Sequence, residues 1–92
     1  MNKKKYKRYY NIAGKASFEN WDSVMQSRIC GCYYCQAIFP PSEISPEDYT
    51  QDRNGKTVLC PHCMIDAVIR DVSGIPINSE ILEELYEEMF NS

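Results

Sequence analysis

Apolar positions along the chain change their spacing several times, and these changes predict short helices and strands. Between residues 17 and 28, apolar side chains recur at helical spacing, which predicts an amphipathic helix. Residues 36–39 form a strand-like run that Pro40 ends. Asn54-Gly55, between two further strand-like runs, is typical of a tight β-hairpin turn. We therefore expect one helix and several short strands in this part of the chain.

Two more helices are predicted further along. Pro61 stands where proline favours the first turn of a helix, and the apolar residues after it keep helical spacing up to Val72, before Gly74. Asn78 can cap a second helix over residues 79–90. The apolar residues of that helix form one stripe: Ile81, Leu82, Leu85, Tyr86, Met89 and Phe90. Its other side is acidic, with Glu80, Glu83, Glu84, Glu87 and Glu88.

Two Cys-x-x-Cys pairs are the strongest chemical signal in this short chain. They are Cys32/Cys35 and Cys60/Cys63, with 24 residues between them at positions 36–59. Each pair can chelate a metal ion through two thiolates, and the intervening segment is long enough to bring the pairs together. The pattern predicts one structural Zn²⁺ bound by Cys32, Cys35, Cys60 and Cys63. A thiol–disulfide redox pair and inert cysteines are the alternatives.

Three further residues adjoin these pairs: Cys30, Gly31 and His62. Cys30 could replace Cys32 as a ligand, but Cys32-x-x-Cys35 closes the usual chelate loop, so we expect Cys30 to be a small buried residue. Gly31 is expected to give the first loop the tight backbone that a zinc site needs. His62, the only histidine, is expected to be exposed and to point away from the metal.

The order of the predicted elements suggests a fold. A zinc loop, a hairpin and then a helix carrying the second pair is the order of a treble-clef finger. A zinc ribbon, with both pairs on hairpin loops, is the alternative. We therefore expect a small α+β zinc-stabilised domain, a treble-clef-like finger with an additional N-terminal and a C-terminal helix.

Two stretches carry a resemblance to known proteins: Cys-Gly-Cys-Tyr-Tyr-Cys-Gln-Ala-Ile-Phe-Pro-Pro-Ser-Glu-Ile at 30–44 and Leu-Cys-Pro-His-Cys-Met-Ile-Asp-Ala-Val-Ile at 59–69. Through these motifs the chain resembles small bacterial and phage zinc-finger proteins of uncharacterised function, often labelled only as cytoplasmic proteins. The similarity covers about residues 17–90. It implies a zinc finger and carries no activity with it.

Charge is distributed unevenly along the 92 residues. Residues 1–16 carry six basic side chains and no acidic one, and they are expected to form a flexible, tyrosine-rich arm beside a zinc-finger domain at 17–92. The formal net charge of −3 argues against a general affinity for nucleic acid, which needs a basic face. A net negative charge is still compatible with a local basic arm at the N-terminus.

Several classes of protein are disfavoured. Four thiolates fill the coordination sphere of zinc, whereas a catalytic zinc keeps one position open, so we expect no enzyme activity. Zinc deaminases also need a His-x-Glu motif, which this chain lacks. No apolar run is long enough to span a bilayer, and the Lys-rich start lacks the apolar stretch of a secretion signal. We therefore expect a cytoplasmic protein that contacts no membrane, with reduced thiols.

Two functions are compatible with these features. The first is a non-catalytic interaction module that docks on another protein, for example as a regulator or inhibitor of a nucleic-acid-acting or defence enzyme. A basic surface would then face Glu80, Glu83, Glu84, Glu87 and Glu88, and this protein's own N-terminal arm is one such surface. The alternative is a nucleic-acid-binding finger that uses a basic and aromatic set of residues: Lys3, Lys4, Lys5, Lys7 and Arg8, with Tyr33 and Tyr34.

Overall fold

A computed structural model describes residues 5–71 and 74–91. Within them the α-helices are α1 (Tyr10–Ala16), α2 (Trp21–Met25) and α3 (Ser79–Phe90). The strands are β1 (Cys30–Cys32), β2 (Ile38–Phe39), β3 (Tyr49–Gln51), β4 (Lys56–Val58) and β5 (Val68–Arg70). Short 3-10 helices lie at Lys7–Tyr9 and Pro41–Glu43. The protein is a small α+β fold, as predicted.

A three-stranded antiparallel sheet forms the centre of the molecule, in the order β2-β1-β5. Cys30 on β1 stands opposite Phe39 on β2 and Arg70 on β5. All three residues of β1 are buried, so this strand belongs to the core along its whole length. The first cysteine pair begins at Cys32, where β1 ends. The central strand therefore leads directly into the loop of the first cysteine pair.

Strands β3 and β4 form the hairpin predicted around Asn54-Gly55, with Tyr49 opposite Val58. A buried amide links this hairpin to the central sheet. Asn20 accepts a hydrogen bond from the backbone N–H of Val58 at 3.0 Å and donates one to the carbonyl of Val68 at 2.8 Å. One side chain thus ties β4 to β5.

The helix predicted over residues 17–28 is present but shorter, because it begins only after Asn20. Glu19, just before it, has a positive φ of 49°, which no right-handed helix accepts. Val24 is fully buried, while Phe18 lies outside the helix and is 53% exposed. The apolar pattern therefore identified the helix and misplaced its first turn.

The helix predicted after Pro61 is absent, and this prediction was wrong. Val68–Arg70 forms strand β5 instead. Val68 and Ile69 are adjacent and both are fully buried, because β5 has α1 and α2 packed against it. A strand buried on both faces gives a continuous apolar run, which periodicity alone cannot distinguish from a buried helix. Val72 of the predicted stripe lies outside the described residues.

Both cysteine pairs consequently lie on loops between strands. The first loop connects β1 to β2, and the second connects β4 to β5. No described helix begins at the second pair, so the treble-clef order is not observed. The zinc-ribbon alternative is not matched either, because β1 and β2 form a hairpin around the first pair whereas β4 and β5 belong to different sheets.

Helix α3 packs on the central sheet, and its predicted N-cap is confirmed. The side chain of Asn78 accepts a hydrogen bond from the backbone N–H of Ile81 at 2.9 Å. A Cβ atom on Gly31 would lie 3.0 Å from side-chain atoms of both Ile77 and Leu82. Glycine is therefore needed in β1 for the close approach of this C-terminal segment, rather than for a tight loop. Within the described residues, no helix is long and apolar enough to cross a membrane.

The described part of the N-terminal segment differs from the expected flexible arm. Residues 10–16 are helical, and Ala13 of α1 is fully buried in the core. Helix α1 contacts both β5 and α3. Residues 5–16 therefore pack against the rest of the fold.

Candidate metal centre and the surface of α3

The four predicted cysteines converge at one point: the Sγ atoms of Cys32, Cys35, Cys60 and Cys63 all lie within 4.8 Å of one another. The distances from Cys32 Sγ to Cys63 Sγ and from Cys35 Sγ to Cys60 Sγ are both 3.7 Å. A tetrahedral ZnS₄ site with bonds of about 2.3 Å has sulfur–sulfur edges of about 3.8 Å. The donor set and its dimensions therefore fit one zinc ion.

All five cysteines are free thiols. The 3.7 Å between the sulfurs of Cys32 and Cys63, and of Cys35 and Cys60, is much longer than the roughly 2.05 Å of a disulfide bond. Among the described residues, no histidine or carboxylate joins the four thiols. Cys30 is outside the cluster: it is fully buried, and its sulfur lies 3.4 Å from the hydroxyl of Ser27. It is the small buried residue that was expected.

The two cysteine loops share one backbone geometry. The residue that follows each pair has a left-handed conformation, with φ of 69° at Gln36 and 64° at Met64. Each also donates its backbone N–H to the carbonyl of the first cysteine, Gln36 to Cys32 at 2.7 Å and Met64 to Cys60 at 2.8 Å. The repetition shows that both loops are the same structural unit. The only signal for Gln36 and Met64 in the sequence is their position after a Cys-x-x-Cys pair.

Burial and hydrogen bonds shift the pKa values of three of these thiols in opposite directions. Burial raises the pKa of Cys60 to about 11, although the backbone N–H of His62 lies 3.3 Å from its sulfur. Burial also raises the pKa of Cys32. For the more exposed Cys35, burial again raises the pKa, but hydrogen bonds from the Ala37 N–H and neighbouring thiols outweigh it, so the net change is downward. A metal ion must therefore displace protons from this cluster.

His62 lies in the second loop, and its side chain binds outside the cluster. Its Nε2 lies 2.9 Å from a carboxylate oxygen of Glu43, and its ring packs on Phe39 with 5.4 Å between centroids. The side chain is 48% exposed. This agrees with the expected orientation away from the metal, and it adds a contact to the 3-10 helix that follows β2.

Comparisons of the chain with protein-family models, curated proteins and solved structures found no significant match. The resemblance to small bacterial and phage zinc-finger proteins therefore stays a prediction, and function must be argued from this chain's own residues.

The N-terminal segment meets the acidic helix directly. Glu84 of α3 is only 8% exposed and accepts three hydrogen bonds, listed here with their lengths: Lys5 N–H at 3.0 Å, Tyr6 N–H at 2.9 Å and Tyr10 hydroxyl at 2.7 Å. Glu80 binds the ammonium of Lys5 at 3.2 Å and the hydroxyl of Tyr6 at 2.8 Å. Glu80 and Glu84, which were predicted to face a partner, are thus bound by the protein's own N-terminal segment. Lys3 and Lys4 of the predicted basic arm lie outside the described residues.

The apolar stripe of α3 is buried as predicted at Ile81, Leu82 and Leu85, but two other positions differ from the prediction. Glu84 lies on the buried side, whereas Phe90, predicted to be inside, is 45% exposed. Tyr34 of the first cysteine loop is 40% exposed and packs on Phe90. Tyr33, proposed above for contact with nucleic acid, is 5% exposed, and its hydroxyl lies 3.0 Å from that of Ser17. It is therefore a core residue.

Proposed function

We propose that this protein is a zinc-stabilised, non-catalytic module that docks on another protein. The observation that carries the proposal is the convergence of four thiols at the spacing of a ZnS₄ site. Cys32, Cys35, Cys60 and Cys63 would hold one structural zinc ion, which would join the loop after β1 to the loop after β4. Such a site has no open position for water or substrate, so the metal would serve stability rather than catalysis.

The surface away from the metal supports a docking role. Residues 74–91 carry five glutamates and no lysine or arginine, and Glu83 and Glu87 are exposed. A basic partner surface would complement them and speed association. Regulation or inhibition of a nucleic-acid-acting or defence enzyme is one form that docking would take, because exposed carboxylates can imitate nucleic-acid charge. We place the module in the cytoplasm, where its thiols would stay reduced, and among the small zinc-finger proteins that it resembles.

Nucleic-acid binding by the basic arm is the second candidate. Arg8 lies over the ring of Tyr9 at 4.8 Å, a pairing also used on single-stranded nucleic acids. Two observations favour the protein partner instead: Lys5 is paired with Glu80, and Tyr33 is buried.

The test is affinity capture from the native host with tagged full-length protein, using Cys60→Ser as the unfolded control. We expect zinc in the wild-type protein and a partner protein enriched over the control. In parallel, random-sequence oligonucleotides are titrated against the wild-type protein at several salt concentrations. Strong, salt-dependent oligonucleotide binding without an enriched protein would contradict the docking proposal and support the alternative.

A further inference from the structure

Three aromatic rings form a cluster beside the candidate metal centre, which we call the aromatic edge: Tyr34 and Phe90, which are exposed, and Tyr86, which is half-buried. Tyr34 meets Phe90 edge-on with 4.9 Å between ring centroids, and it meets Tyr86 edge-on at 5.7 Å. Tyr86 and Phe90 stack at 5.8 Å. Tyr34 and Phe90 are 40% and 45% exposed. The cluster therefore presents apolar surface to solvent, on rings that pack against one another. Aromatic side chains in such positions are frequent anchors of protein interfaces.

Carboxylates border these rings along α3. Glu83 and Glu87 fall at helical spacing with Tyr86 and Phe90, so all four side chains share one side of the helix. Both glutamates are exposed, and Glu87 accepts a hydrogen bond from Asn91 at 3.1 Å. The segment 74–91 contributes no cation to this border. The aromatic edge is therefore apolar at its centre and negative at its margin.

The chain itself shows what such a combination binds. The ammonium of Lys5 lies 5.6 Å from the centre of the Tyr6 ring and is also paired with Glu80 of helix α3. Arg8 lies over the ring of Tyr9 at 4.8 Å. In both cases a cation rests on a tyrosine face, and in the first a glutamate completes the site. Tyr86, with Glu83 and Glu87 beside it, offers the same groups to an outside cation.

We propose that the aromatic edge binds an apolar segment of a partner protein that carries arginine or lysine. This inference rests on the proposed docking function and specifies its surface. The partner's apolar side chains would cover Tyr34 and Phe90, and its cation would lie on Tyr86 between Glu83 and Glu87. A wholly apolar partner would desolvate both carboxylates without a counter-charge. An acidic partner would meet repulsion.

The experiment uses full-length, zinc-loaded protein immobilised for selection from a phage-displayed library of random peptides. We expect the enriched peptides to place arginine or lysine beside an apolar residue. The affinity of an enriched peptide is then measured by fluorescence anisotropy. Tyr86→Ala should weaken it roughly tenfold, as truncation of an interface anchor does, and Tyr86→Phe should largely preserve it. The double variant Glu83→Gln, Glu87→Gln should weaken the affinity for the peptide several-fold, which is about the loss expected for charges at the rim of an interface. The affinity should also depend less on salt concentration.

Matched controls lie elsewhere on the surface. Phe18→Ala removes another exposed aromatic ring, and Glu47→Gln removes another exposed carboxylate; neither should change the affinity. Zinc content reports whether each variant is folded.

Failure to enrich any peptide, enrichment of peptides without basic residues, or equal binding by Tyr86→Ala would each overturn the proposal. So would a concentration-dependent dimer that Tyr86→Ala abolishes, because it would assign the edge to a second copy. A captured host protein that binds Tyr86→Ala equally well would overturn the aromatic edge alone and leave the docking function standing.

Discussion

The hydroxyl of Tyr10 donates a hydrogen bond of 2.7 Å to Glu84, and this bond joins helix α1 to helix α3. The same carboxylate accepts the backbone N–H groups of Lys5 and Tyr6. Glu84 thus has three donors from the N-terminal segment, which explains how an acidic side chain can lie on the buried side of α3. The N-terminal segment and the acidic helix form one unit.

Replacing Glu84 with Ala should lower the free energy of unfolding by about 1–2 kcal/mol, because two backbone N–H groups and one hydroxyl lose their acceptor. Denaturant unfolding measures the change. Glu83→Ala is the matched control, since Glu83 is exposed, and it should change stability by less than about 0.5 kcal/mol. Equal effects at the two positions would contradict the role assigned to Glu84.

Tyr10 should ionise late. Burial, together with the Glu84 carboxylate, raises the pKa of Tyr10 from its ordinary 10.0 to about 12. Because the folded-state pKa is the higher one, the stability that neutral Tyr10 contributes is complete below about pH 10 and is lost as pH rises toward 12. Absorbance at the tyrosinate band, compared with that of Tyr10→Phe, isolates this step. Glu84→Gln should move it to lower pH, and an unmoved step would separate Tyr10 from Glu84.

Much of the fold could be predicted because its signals are local. The hairpin at Asn54-Gly55, the cap at Asn78 and the two cysteine pairs each depend on a few neighbouring residues. The failures depend on contacts distant in sequence. Strand β5 was predicted as part of a helix because α1 and α2 pack against it, which gives its sequence a continuous apolar run. Glu84 was predicted on the exposed side of α3 because its hydrogen-bond donors lie more than 70 residues away in the sequence.

Metal and fold should be coupled. Binding of zinc by small structural sites is worth on the order of 10 kcal/mol, comparable to the whole stability of a domain of this size. Strong chelation, or Cys60→Ser, should therefore abolish cooperative unfolding followed by circular dichroism. Cys30→Ala is the matched control, because Cys30 lies outside the cluster, and it should keep one zinc per chain by elemental analysis. Loss of zinc from that variant would show that the ligand set is different.

Gly31→Ala should destabilise the protein, because its Cβ would lie 3.0 Å from the side chains of Ile77 and Leu82. Overpacking of this kind costs about 1–3 kcal/mol. Gly14→Ala is the matched comparison: a Cβ there meets open space within helix α1, so we expect a gain of about 0.5–1 kcal/mol. Thermal unfolding of the two variants should therefore shift in opposite directions. A shift in the same direction would remove the close-packing explanation for Gly31.

Met64 holds a left-handed backbone conformation that glycine adopts more readily. Its side chain is 50% exposed, so little packing is lost on replacement. Met64→Gly should leave stability unchanged or raise it by about 1 kcal/mol, while Met64→Val should lower it by a similar amount, because a β-branched residue tolerates positive φ poorly. Denaturant midpoints of the zinc-loaded variants measure both. The reverse order would argue against a left-handed residue at this point of the loop.

Asn20 has a consequence for the metal that its position does not suggest. Its amide binds Val58 before the second cysteine loop and Val68 after it, so this loop is closed at its base without any help from the thiolates. A cation arriving at the cluster would find the two ends of the loop that carries Cys60 and Cys63 already held together. Less of its binding free energy is then consumed in ordering the chain, which is how preorganisation increases affinity. The proposed zinc site would thus owe part of its affinity to an asparagine that is not one of its ligands.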